Sequence, residues 1–453
     1  MSAMSSLNQY IDLFEHNRRQ LYDSSPEVFN RLRPAALSAL ERLGHFPGKR
    51  DEGYRNFSVD EVFAPDFGVN VGRVSFAVDV ARTFRCDVPN LSTLLGVVVN
   101  DEFRPTATLL KNCPEGVTVM SLAEAARRYP DLVASRLGNI ADNSSASTAL
   151  NTLLLQDGVF VHIAPGVRLD KTIQIVNIFN ASANLLSFRR VLVVVEDGAS
   201  ARLLMCDHTQ STDNDYLSSQ VVEIFLGRGA SLDYCDIEES SERTSRLSQM
   251  YVSQEADSNL SVNASSLTVG HTRNEYRVDL LDRGASAEIA GMAIAGGSQL
   301  VDSSTLIRHI APYCHSNQLF KYLLDDNSRG AFEGLIYVAP DAVHTEAYQS
   351  DRNILASEGA RMHTSPHLEI YCDDVKCSHG AATGQLDSQA LFYMQTRGVP
   401  LAEARMMLMQ AFMSDVIDRV RIDGLRDRLR RLVERRLNGD RTTCGDCAAA
   451  CNK

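Results

Sequence analysis

Residues 191–200 read VLVVVEDGAS, and residues 221–231 read VVEIFLGRGAS. In both, a run of β-branched and leucine side chains stops at a Gly-Ala-Ser turn. The tripeptide returns at Gly284, and related Gly-Ala pairs stand at Gly330 and Gly359. Just upstream, DGVFVHIAPGVRLDKTIQIVNIF (157–179) alternates Val159, Val161 and Ile163 on one side, turns at Pro165-Gly166, and resumes with Ile173 and Ile175. A β-sandwich gives the same local signals over a shorter span. Strand, glycine turn and strand recurring through residues 146–385 predict a coiled β-solenoid, in which each rung buries its face only against the next.

Outside this region the period changes. In NQYIDLFEHNRRQLYDSS (8–25) and SPEVFNRLRPAALSALERLGHFPG (25–48) apolar residues recur at three- and four-residue steps, including Ala36, Leu37, Leu40 and Leu43, and Gly44 supplies a stop. Mixed sequence follows, with the strand-like TLLGVVV (93–99) and the helix-like SLAEAARRYP (121–130). After residue 386 helical spacing returns on both sides of an RGVP break, then in the charged LRDRLRRLVERRLNG (425–439). The expected organisation is a mainly helical part at 1–145, a β-helix core at 146–385, a helical part at 386–440, and a flexible cysteine-containing tail at 441–453.

A chain of 453 residues with 44% hydrophobic content can bury a large core. Its net charge of -12 opposes attraction to nucleic acid or anionic lipid. No membrane-length apolar run and no leader pattern is visible, and ten scattered cysteines fit a reducing compartment, so the expectation is a cytoplasmic protein. The only Gly-Lys pair, at Gly48, lacks the spacing of a phosphate-cradling loop, so no nucleotide should bind this chain alone. No G-x-S-x-G or H-E-x-x-H motif is present. A β-helix carbohydrate-active enzyme would want paired carboxylates and stacking aromatics. Aromatics here are 7% and tryptophan is absent.

One cluster stands out: YCDDVKCSHG, residues 371–380. Cys372, Cys377 and His379 are sulfur and imidazole donors of the kind that bind zinc or iron-sulfur units, and Asp373 and Asp374 could supply oxygen or orient a ligand. A single C-x4-C-x-H is short of a closed site. On a strand Cys377 and His379 share a side, whereas Cys372 and Cys377 would face opposite ways. Metal site, nucleophile and polar turn all remain open, as does a stand-alone thiol-based metal carrier or sensor; a buried cysteine beside a hydrogen-bonded histidine is the plain structural alternative.

The stretch from Arg329 to Phe412, with DDVKCSHGA (373–381) at its centre, closely resembles the SufD family of iron-sulfur cluster assembly proteins; GHFPGKRDEGYRNFS (44–58) and DGVFVHIAPGV (157–167) resemble the family more weakly. That resemblance implies a mostly β chain: a right-handed parallel β-helix flanked by helical N- and C-terminal parts. It implies a non-enzymatic scaffold, working with a SufB-like paralogue as heterodimer and a SufC-like ABC-type ATPase, or as a homodimer when isolated. By position, His379 would meet a cysteine of the paralogue where a transient, shared cluster forms, with Cys377 beside it. The helix from Leu401, including Glu403, Arg405, Met409 and Phe412, would dock the ATPase. Two features depart from the family pattern. Cys372 falls where a non-thiol is usual, and the tail spacing Cys444, Cys447, Cys451 is extra; each is at most an accessory ligand. Cys86, Cys113, Cys206, Cys235 and Cys314, and likewise His208, His271, His309 and His344, read as ordinary core or surface residues.

Overall fold

The computed structural model describes residues 6–78, 93–210 and 213–439. It is mostly β, 42% strand, and its centre is a parallel β-solenoid of about 7 turns with helices at both termini. Each coil contributes one strand to each of two sheets. One sheet runs from Val117–Ser121 through Val159–Ile163 to Arg361–Ile370, the other from Glu102–Pro105 through Thr172–Phe179 to Val375–Gly384. Within the coils neighbouring strands pair parallel and nearly in register, so like positions stack.

The corner that the Gly-Ala-Ser turns mark is a column of left-handed residues. Gly166, Gly198, Gly229, Asp257, Gly284, Tyr313 and His344 all have positive φ, at intervals of 27 to 32 residues. From Gly166 to Tyr313 each backbone N–H donates to the carbonyl one residue before the next corner, as Gly198 does to Arg228 and Tyr313 to Val343. Alanines that follow the glycines point into the coil and are buried at Ala199, Ala230 and Ala285. Glycine is favoured there because Cβ opposes positive φ. Two of the sequence-marked glycines lie elsewhere: Gly330 is inside a strand, and Gly359 sits at another corner against Asp326 and Asn327.

Valine, leucine and isoleucine side chains from both sheets fill the lumen of the earlier coils, among them Val159, Val161, Ile163, Ile173 and Ile175, the residues whose alternation was visible in the sequence. Both outer walls are covered. Helices Ser6–Ser24, Glu27–Leu43 and Ala146–Leu153 pack on one sheet through Leu186, Phe188, Leu217 and Leu247. Helices Leu401–Ile417 and Asp423–Leu437 pack on the other through Leu204, Cys235, Ile237, Met292 and Leu323. That double cover explains why runs such as VLVVV lose alternation: Val191 and Val193 face the lumen, Leu192 and Val194 the outside.

The expected boundary at 145 does not separate helical from β structure. TLLGVVV forms strand Thr93–Val99 and pairs parallel with Thr172–Phe179, while Val117–Ser121 pairs antiparallel with Val159–Ile163. These segments close the N-terminal end of the solenoid. Cys86 and the tail cysteines Cys444, Cys447 and Cys451 lie outside the described residues.

Candidate functional site

At its C-terminal end the solenoid is open. The last coil consists of Arg361–Ile370 and Val375–Gly384, each terminal in its sheet and paired on one side only. Register fixes what faces the mouth. Thr345, Ala347, Gln349 and Asp351 point inward on the coil below, so their partners Val375, Cys377, His379 and Ala381 line the mouth from one sheet. Met362, Thr364, Pro366 and Leu368 line it from the other.

His379 is exposed there, directly above the buried Gln349. Cys377 is half-buried against Ile336, Val338 and Ala347. As alternate residues of one strand, the two side chains start roughly 6.6 Å apart. Burial pushes the Cys377 thiol above its ordinary value, and Cys372 adds to the shift. The unliganded thiol is therefore held protonated.

Cys372 departs from the sequence expectation that it would face away from Cys377. It lies in the turn before the strand, and both cysteines pack on the same apolar cluster. The alternation rule does not carry across a turn. Asp373 and Asp374 are exposed in that turn, and Asp374 is engaged: its Oδ2 lies 3.0 Å from His344 Nδ1, and its carbonyl accepts from the His344 N–H at 2.7 Å. The Tyr313 ring packs tilted against His344, centroids 4.6 Å apart, and Arg283 lies 4.1 Å over Tyr313. His344, read as ordinary in the sequence, thus latches the turn that introduces the mouth strand; only its corner position could have signalled this.

His208 is buried, and that burial lowers its pKa to about 4; His309 lies in the lumen with Nε2 2.8 Å from Ser316 Oγ, its pKa lowered by burial to about 3. His271 is exposed at a strand start, Cys206, Cys235 and Cys314 are buried, and Cys113 is half-buried. Among the described residues no three His, Cys, Asp or Glu side chains group as metal ligands, and no helix is long and apolar enough to cross a membrane.

A second exposed surface adjoins the mouth. Helix Ser388–Thr396 buries none of its residues, and Tyr371 (59%), Phe392 (68%) and Tyr393 (63%) are solvent-facing. On the next helix Leu401, Glu403 and Arg405 are exposed, and Arg405 donates to the Ala356 carbonyl. Met409 and Phe412 instead turn toward the solenoid, where Lys321 Nζ lies 4.4 Å over the Phe412 ring.

Residues 177–412 match the family described as SUF system FeS cluster assembly, SufBD core domain, and residues 4–175 match the SufBD protein N-terminal region. An iron-sulfur cluster assembly SufBD family protein of Synechocystis is 28% identical over 87% of this chain and 89% of its own length. The SufD protein of Escherichia coli is 34% identical over 37% of this chain and 40% of its own; that of Bacillus subtilis is 25% identical over 71% and 74%.

Proposed function

We propose, from the premise that this chain belongs to the SufBD family of iron-sulfur cluster assembly proteins, that it is a non-enzymatic scaffold subunit whose open solenoid mouth pairs with that of a SufB-like paralogue. The observation that carries this reading is the mouth itself. Two strand edges, each with a free row of backbone donors and acceptors, end the sheets beside exposed aromatics. Such edges are covered in working proteins, and a second solenoid supplies matching edges.

Pairing mouth to mouth brings His379 and Cys377 to the junction. An iron-sulfur cluster built there is cargo, held by neutral imidazole or thiolate from this side and by the paralogue's ligands from the other. Coordination by iron also offsets the burial that keeps Cys377 protonated. A divided ligand set lets the cluster leave when the subunits shift, and a SufC-like ATPase bound to the exposed face of Leu401, Glu403 and Arg405 would drive that shift. Free thiols and a labile cluster call for a reducing compartment, and the cytoplasm is the one this reading assigns.

Ala381→Lys tests the pairing. The substitution places a charge inside the mouth, in register with Asp351 of the coil below. Co-purification of the SufB-like partner should fall at least tenfold while circular dichroism reports a folded chain; undiminished pairing overturns the assignment.

A further inference from the structure

One coil beneath the mouth the lumen turns polar. Asp351 is fully buried, and Gln349 and Asn353 on the same inward face are 3% and 4% exposed. Buried carboxylates are normally paired with cations. The groups that act on the Asp351 carboxyl are Thr364 and Asn353, neither of them charged, and among the described residues no lysine or arginine forms an ion pair with it.

The hydrogen bonds that do form leave oxygens free. Asn353 Nδ2 donates to Asp351 Oδ2 at 2.8 Å and to Thr383 Oγ1 at 3.2 Å, which commits the amide nitrogen and leaves Asn353 Oδ1 without a partner. Asp351 Oδ1 and Thr364 Oγ1 are buried and equally unpartnered. Thr364, on the facing strand, turns its hydroxyl toward the carboxyl and favours the ionised form. Phe320 and Phe332, ring centroids 4.6 Å apart, lie in register under Asp351 and Thr364 and close the floor. Above Asp351 stands only the small Ala381 of the open coil.

We propose that Asp351, Asn353 and Thr364 bind a hard divalent cation inside the lumen, reached through the mouth. Carboxylate, amide carbonyl and hydroxyl oxygens are the donor set of magnesium, manganese and ferrous ions, not of soft thiophilic metals. A bound cation supplies the missing countercharge and occupies the free oxygens together. The site is distinct from His379 and Cys377 and does not depend on their role in cluster assembly.

Manganese titration of the purified full chain, followed by loss of the free-ion electron paramagnetic resonance signal, tests it. The chain should bind one tight equivalent. Asp351→Asn should abolish that equivalent, and Thr364→Val, which keeps shape in a half-buried position, should weaken it about tenfold. His379→Ala should bind as the parent does. Absence of tight binding in the parent chain overturns the proposal. So does a tight equivalent that persists in both Asp351→Asn and Thr364→Val, with circular dichroism reporting that each variant is folded.

Discussion

Asp351 also makes a prediction about pH. Burial raises its pKa to about 6, so the folded chain binds this proton more tightly than the unfolded chain does. The stability contribution is therefore full below about pH 4 and is lost as pH rises through about 6. In chelator, Asp351→Asn should stabilise the chain above pH 7 by about 2 to 3 kcal/mol and be near neutral at pH 4. Denaturant unfolding at the two pH values measures this, and an equal effect at both would refute the assignment. Such a residue was illegible in the sequence, because which way Asp351 points is set only by register with neighbouring coils. That His379 and Cys377 share one face of a strand was legible, since alternation within a strand is local. Cys372 was misread because a turn, not a strand, joins it to Cys377.

Corner and helix carry their own predictions. The Gly-Ala-Ser corners at Gly198, Gly229 and Gly284 were readable, whereas Asp257, Tyr313 and His344 hold the same left-handed station without glycine, so the period looked irregular. A Cβ on Gly229 would meet no atom within 4 Å, which makes Gly229→Ala a test of backbone strain alone. It should cost about 1 to 2 kcal/mol in denaturant unfolding, and a neutral result would refute the corner argument. On the outer wall, Arg428 Nη2 meets Glu239 at 2.6 Å, both buried, clamping Asp423–Leu437 to the solenoid. Arg428→Met strands the glutamate and should destabilise by about 3 kcal/mol; Arg428→Met with Glu239→Gln should recover most of it. Exposed Arg405 is different: Arg405→Glu should leave the melting temperature within about 1 °C while weakening capture of the ATPase. The helical spacing told that these segments are helices. It did not tell that Met409 and Phe412 face the solenoid and Leu401 faces water, because the apolar residues encircle the helix.

For the molecule as a whole, the layered plan was readable: helices, a long repetitive β region, helices. Before residue 145 the strand Thr93–Val99 was readable as TLLGVVV, but its hairpin partner Glu102–Pro105 and its place at the closed end were not, because short strands owe their place to the sheets they join. One end closed and the other open gives the solenoid a direction, and the last coil is where chemistry-bearing side chains meet a surface built for a partner. The direct measurement is iron and acid-labile sulfide per assembled complex of this chain with its SufB-like and SufC-like partners, for the parent and for His379→Ala, with melting temperature recorded on the same samples. An exposed residue that acts only as a cluster ligand should leave assembly and melting unchanged while iron and sulfide fall several-fold. Full iron and sulfide in an intact His379→Ala complex, or a loss matched by failed assembly, would contradict the account.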